Sequence, residues 1–196
     1  MRPIMSLKTD LYNRDVKQNT ETILLNAALN GDADSFNRLC ERYYSAIVAI
    51  AYSRLSDRNL AEDAAQEAFY IAFRDISKLK KPNHFGRWLT KICRNVSSDM
   101  AKVRRRDKLI AVEDIELHPN EKTEQENYDE VVRSIISKLP LKAREVIYLR
   151  FYNKLSYQEI SNVLGISQEA VNGRLRRAKK LIIKELGMHN SVEVDL

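Results

Sequence analysis

From Phe36 the apolar residues Phe36, Leu39, Cys40, Tyr43, Ile47, Ala51 and Leu55 return at steps of three and four, which predicts a helix with one buried stripe, opening near Asp34. A second helix is expected from about Leu60 through "LAEDAAQEAFYIAFRDI", with Ala61, Ala65, Ala68, Ala72 and Ile76 turned inward. At a helical 100° per residue, Asp63, Gln66, Glu67, Tyr70 and Arg74 gather on its opposite side. That side reads either as a solvated face or as a protein-docking surface.

Pro82 interrupts the pattern, and "SKLKKPNHFG" forms a basic loop of the kind that touches partners. The next helix, "FGRWLTKICRNVSSDMAKVRRR", is expected to bury Phe85, Leu89, Ile92, Val96, Met100 and Val103. On its other flank Arg87, Lys91, Arg94, Lys102 and Arg105 fall within about 80° of one another. Like charges one turn apart weaken a helix by a few tenths of a kcal/mol, a strain that a bound polyanion would relieve. Trp88, at the edge of the apolar stripe, reads as a core anchor or as an indole that flanks an unstacked base.

After Pro140, "LKAREVIYLRFYN" predicts one amphipathic helix. Ser156 and Glu159 form the S-x-x-E capping box of a short second helix, and Gly165 ends it. Ser167 caps a third, whose Val171, Leu175, Ala178 and Ile182 form an apolar stripe. Two helices around a glycine turn make a helix-turn-helix. Glu169, Asn172, Gly173, Arg176, Arg177 and Lys180 project away from the stripe, with Arg174 and Lys179 on its flanks. A helix of that kind fits the major groove of DNA, where Arg pairs with guanine, Asn pairs with adenine and neighbouring cations hold phosphates.

Composition supports an all-α chain: only five glycines and four prolines occur in 196 residues, amid many strong helix formers. Charge divides it. Residues 107–130 carry nine acidic and two basic side chains, whereas residues 138–184 carry eleven basic and three acidic ones, and residues 100–106 four basic ones and no acid. The acidic strip, with Pro119 and little periodicity, is expected to be a flexible linker between two small helical domains. It reads as a solvated tether or as a shield over a basic surface. The expected segments are 1–31, an extension with a first helix; 32–106, a helical bundle; 107–130, the linker; 131–187, the helix-turn-helix domain; and 188–196, a loosely ordered tail.

Cys40 and Cys93 lie far apart among apolar residues and are expected to be reduced, buried thiols. No apolar run reaches signal-peptide or membrane-spanning length, so a cytoplasmic protein without membrane insertion is expected. His84, His118 and His189 are scattered, and no phosphate loop, hydrolytic triad or metal-ligand spacing occurs. An enzyme is therefore not expected, and neither a catalytic residue nor a metal or cofactor is assigned.

Three stretches in order, "AEDAAQEAF", "FGRWLTKICRNVSSDMAKVRRR" and "LPLKAREVIYLRFYNKLSYQEISNVLGISQEAVNGRLRRAKKLI", resemble bacterial sigma factors of the extracytoplasmic-function (ECF) group, over about residues 32–186. The resemblance implies a region 2 bundle and a region 4 helix-turn-helix, and a factor that directs core RNA polymerase to promoters. It assigns docking on the beta-prime clamp helices to Asp63, Gln66, Glu67 and Tyr70. It assigns recognition and melting of the minus-ten element to Lys80, Asn83, Arg87, Trp88, Lys91, Arg94, Asn95, Arg104, Arg105 and Arg106. It assigns the minus-thirty-five element to Ser167, Gln168, Glu169, Asn172, Arg174, Arg176, Arg177 and Lys180. The polymerase beta flap and an anti-sigma factor are further implied partners. Where family members often have Val-Lys-Ser-Arg-Leu this chain has "VNGRL", which alters the base-reading face at Asn172 and Gly173. The competing reading is a helix-turn-helix regulator that is not a polymerase subunit.

Overall fold

The computed structural model describes residues 20–81, 84–110 and 124–192, with side chains described through 106 and again from 131 to 187. Helix α1 spans residues 20–29, α2 Ala33–Leu55, α3 Arg58–Arg74 and α4 Phe85–Ile110; a 3-10 turn, Ile76–Lys78, follows α3. Helix α5 spans Glu124–Lys138, α6 Leu141–Ile147, α7 Tyr157–Leu164 and α8 Gln168–Val192. Among the described residues there is no strand.

Local chemistry sets the helix ends. Asp32 caps α2 by accepting the Asp34 N–H, and Asp57 caps α3 by accepting the Leu60 N–H at 3.2 Å. Between those helices the chain reverses through Ser56, held left-handed at φ 52° with its N–H on the Tyr52 carbonyl. Helix α3 then packs against α2 and α4 through Ala61, Ala64, Ala65, Ala68 and Ala72, all fully buried. Side chains no larger than a methyl allow close approach of the helix axes. Phe36, Tyr43, Phe85 and Trp88 fill one end of the bundle; Phe85 meets Phe36 and Tyr43 edge to face, the Tyr43–Phe85 centroids lying 5.4 Å apart, and Trp88 at a tilt.

The second unit is built by α5 to α8, with α8 packed on α5, α6 and α7. Helix α6 does not continue regularly into "YLRFYN": it passes into a π turn, Tyr148–Tyr152, where the Asn153 N–H reaches back to the Tyr148 carbonyl. The Ser156/Glu159 capping box forms in full, and Gly165 ends α7 at φ 64°. Ser167 accepts the Ala170 N–H at the start of α8.

Several expectations need correction. Val103 is 55% exposed, so the buried stripe of α4 does not extend to it. The deepest residues of α4 are Phe85, Leu89, Thr90, Cys93 and Ser97, a stripe rotated toward the small polar side chains. Ser97 and Thr90 satisfy their hydroxyls on the Cys93 and Val163 carbonyls, so their burial leaves no donor orphaned. The expected linker narrows at both ends, since α4 reaches Ile110 and α5 opens at Glu124; residues 111–123 lie outside the described residues. The loose tail after Gly187 is likewise shortened: α8 passes through that glycine to Val192, since one glycine weakens a helix by about 1 kcal/mol without breaking it. Beyond these corrections, the two units touch, an arrangement that the sequence leaves open. Their buried apolar residues form one continuous cluster from Leu25 to Ala178, with α7 against α4 and α6 against α2.

Candidate nucleic-acid interface

Three surfaces carry the residues singled out in the sequence. On α3, Asp63, Gln66, Glu67 and Tyr70 are all exposed, Tyr70 at 60%. Phe73, 53% exposed, continues this face with an apolar ring that leans on Phe36 at 5.1 Å. The sequence reading passed over Phe73, although its spacing from Tyr70 and Arg74 marked it as outward.

On α4, Arg87, Lys91, Asn95, Arg105 and Arg106 are exposed, and Trp88 is half-buried against Phe85 with ring centroids 6.1 Å apart. The indole is thus both anchor and rim. Lys80 is exposed on the loop before the helix; Asn83 lies outside the described residues. Arg104 is folded back, donating to the Leu55 carbonyl at 3.2 Å and approaching Asp57 at 3.6 Å. Beside it, Arg54, Leu55, Ser56, Ala101, Arg104 and Arg105 line an open hollow of about 320 Å³.

Arg94 differs from the rest of the stripe. Its guanidinium makes a two-pronged pair with Glu145 of α6, Nε to Oε1 at 2.8 Å and an amino group to Oε2 at 2.7 Å. Arg54 adds a contact to Oε1 at 3.4 Å and another to the Ser98 hydroxyl. Glu145 is completely buried. Two parallel N–H···O bonds are among the stronger polar contacts, and removing one member of a buried pair costs about 3–5 kcal/mol because the other is stranded. Neither Glu145 nor Arg54 was singled out in the sequence. The available signal was a lone carboxylate inside the otherwise apolar and basic run "KAREVIYLR".

On α8, Glu169, Asn172, Arg176, Arg177 and Lys180 are exposed, and Arg174 is half-buried. Ser167 and Gln168 serve the fold itself, Ser167 as cap and Gln168 as donor to Gln158 at 2.6 Å. The Glu169 carboxyl is held below its ordinary range by its own backbone N–H and the Ser167 hydroxyl. Gly173 leaves room for Arg177, whose guanidinium would lie 3.5 Å from an added Cβ. The face is therefore open and cationic. Among the described residues no cluster of His, Cys, Asp and Glu is placed to hold a metal ion, and no helix is long and apolar enough to cross a membrane.

Comparison with known proteins assigns these units. The Sigma-70 region 2 family matches residues 39–107, and the Sigma-70, region 4 family matches residues 129–182. The probable RNA polymerase sigma factor RfaY of Xanthomonas campestris pv. campestris is 30% identical over 168 residues, covering 81% of this chain but 42% of its own length. The ECF RNA polymerase sigma factor SigW of Bacillus subtilis is 28% identical over 170 residues, covering 80% of this chain and 91% of its own. Among solved structures, CnrH in complex with the cytosolic domain of CnrY matches with a TM-score of 0.60 at 27% identity, over 86% of this chain and 98% of that one. The fold alone is shared with RpoE of Bartonella quintana, solved with the anti-sigma factor NepR, at a TM-score of 0.52 and 20% identity over 79% and 98% of the two chains. An all-α chain with a region 2 bundle, a region 4 helix-turn-helix and relatives of this kind belongs to the sigma-70 family of RNA polymerase sigma factors, in its extracytoplasmic-function group.

Proposed function

We propose that this chain binds core RNA polymerase and directs it to promoters, with the bundle engaging the minus-ten element and α8 the minus-thirty-five element. The observation that carries the reading is the segregation of three exposed surfaces on one scaffold: a carboxylate, amide and aromatic face on α3, a cationic stripe on α4 and a cationic face on α8. Asp63, Gln66, Glu67 and Tyr70 dock on the beta-prime clamp helices. Lys80, Asn83, Arg87, Trp88, Lys91, Asn95, Arg105 and Arg106 track the minus-ten strand, with Arg94 and Arg104 joining from their present partners.

Melting requires no hydrolysis. Unstacking costs about 1–2 kcal/mol per base step, and binding the exposed strand in a cationic groove with bases against an aromatic ring offsets it. On α8, Asn172, Arg174, Arg176, Arg177 and Lys180 supply base-edge and phosphate contacts, with Ser167, Gln168 and Glu169 at the helix start nearest the bases. The beta flap is the expected polymerase contact of the second unit. An anti-sigma factor is a further expected partner, a reading supported by the solved complexes of CnrH with CnrY and of RpoE with NepR.

The test is transcription with this chain and bacterial core polymerase on pooled genomic fragments, with transcript starts sequenced. Starts that depend on the chain and share two upstream motifs are expected. DNA binding by the chain without any such starts would overturn the reading in favour of a helix-turn-helix regulator.

A further inference from the structure

The pairing of Arg94 with Glu145 joins the two units. Arg94 lies on the cationic stripe of the first unit, and Glu145 lies on α6 of the second. The same contact region holds three further links. The Thr90 hydroxyl donates to the Val163 carbonyl at 2.8 Å. Tyr52 meets Tyr148 edge to face at 5.1 Å. The methylenes of Arg87 lie directly over Gly165, so close that a Cβ there would collide with them. Arg87 and Arg94, two of the stripe's cations, are thus engaged by the second unit.

Their chemistry gives this contact a consequence. A guanidinium fork fits a carboxylate and a phosphate with the same two parallel N–H···O bonds. Glu145, fully buried and bonded through both oxygens, presents to Arg94 what a nucleic-acid phosphate would present. The sequence offered the acidic strip as a shield over a basic surface; in the structure the carboxylate that faces Arg94 is Glu145 of the second unit.

We propose that Glu145 is an internal phosphate mimic that latches the second unit onto the minus-ten stripe, so that the contact must open before Arg94 can reach a DNA strand. The proposal rests on reading that stripe as strand-binding. When the latch opens, Arg94 exchanges the carboxylate for a phosphate, and Thr90 and Arg87 lose their partners on Val163 and Gly165. A closed fraction that exceeds the open one tenfold lowers apparent strand affinity about tenfold.

The test compares the full-length chain with Glu145→Gln and, separately, Thr90→Val, which removes an interface hydrogen bond without touching the ion pair. Circular dichroism checks that helix content is retained. Small-angle scattering reads compactness, and anisotropy of a labelled mixed-sequence single-stranded DNA reads binding. Both variants are expected to expand, and Glu145→Gln is expected to bind the strand about tenfold more tightly. Unchanged compactness in both variants would overturn the latch. Expansion without tighter binding would overturn the masking of the stripe. If the expanded variants bind no strand at all, the minus-ten reading fails while the closure itself is established.

Discussion

Gly86 lies against the ring of Tyr43: a methyl group added to the glycine would meet Tyr43 Cε1 at 2.9 Å and the phenolic oxygen at 3.0 Å. The ring has no easy retreat, since its hydroxyl donates to Glu21 at 2.7 Å and its edge packs on Phe85. Burial, reinforced by Glu21, pushes that phenol far above its ordinary value, so it remains a neutral donor at every physiological pH. Gly86→Ala should lower stability by about 1–3 kcal/mol, read as a lower urea midpoint with unchanged slope. Gly187→Ala, on a helical turn where an added Cβ would meet nothing within 4 Å, should instead raise stability by about 0.5 kcal/mol.

Arg176 and Arg177 are exposed on α8 with no carboxylate paired to either among the described contacts. Replacing either by Ala should weaken binding to a selected promoter by about 1–3 kcal/mol. A base-reading arginine relaxes sequence preference at one position, whereas a phosphate-holding one lowers affinity for every sequence and flattens the salt dependence. Titration against a promoter library at two salt concentrations separates them, and unchanged affinity and preference in both variants would argue against a groove-facing α8.

On α3, Asp63→Ala combined with Glu67→Ala should weaken binding to core polymerase while promoter DNA affinity of the free chain is retained. Surface charges of this kind act largely through encounter rate, so the loss should appear mainly as slower association and should shrink at high salt. Full polymerase affinity in the double variant would break the assignment of docking to this face.

Burial raises the thiols of both Cys40 and Cys93 to about 11. At pH 8 the thiolate fraction is then about 100-fold below that of a free cysteine, so alkylation of the folded chain should be slower by at least that factor and should become fast in urea. The sign for stability follows: above pH 9 the unfolded chain ionises its thiols first, so folding weakens as pH rises toward 11. Mass spectrometry of iodoacetamide-treated protein across that range provides the measurement.

Most of the architecture was legible because it rests on local rules. The α2 and α3 stripes, the Ser156/Glu159 capping box and the Gly165 turn follow from spacing and from one or two side chains acting on adjacent backbone. The exposed faces of α3 and α8 follow from the same periodicity. What escaped depended on neighbours distant in sequence. Val103 looked buried because periodicity does not show how far a buried stripe extends. Glu145 looked like one acid among many bases, and only the approach of Arg94, 51 residues earlier, and of Arg54, 91 residues earlier, explains its burial. The contact between the units was illegible for the same reason, since Thr90 and Gly165 look ordinary until Val163 and Arg87 are beside them.

The alanine seam of α3 has a bearing on how such a protein can change over generations. Ala61, Ala64, Ala65, Ala68 and Ala72 are wholly buried, where a larger side chain typically costs about 1–3 kcal/mol. Asp63, Gln66, Glu67 and Tyr70, one or two positions away, point into open solvent, where substitutions rarely alter stability by more than about 0.5 kcal/mol. One face of a single helix is thereby frozen while the other is free to drift. A lineage could retune its affinity for a partner at Asp63 or Tyr70 in single steps without first finding a compensating change in the bundle.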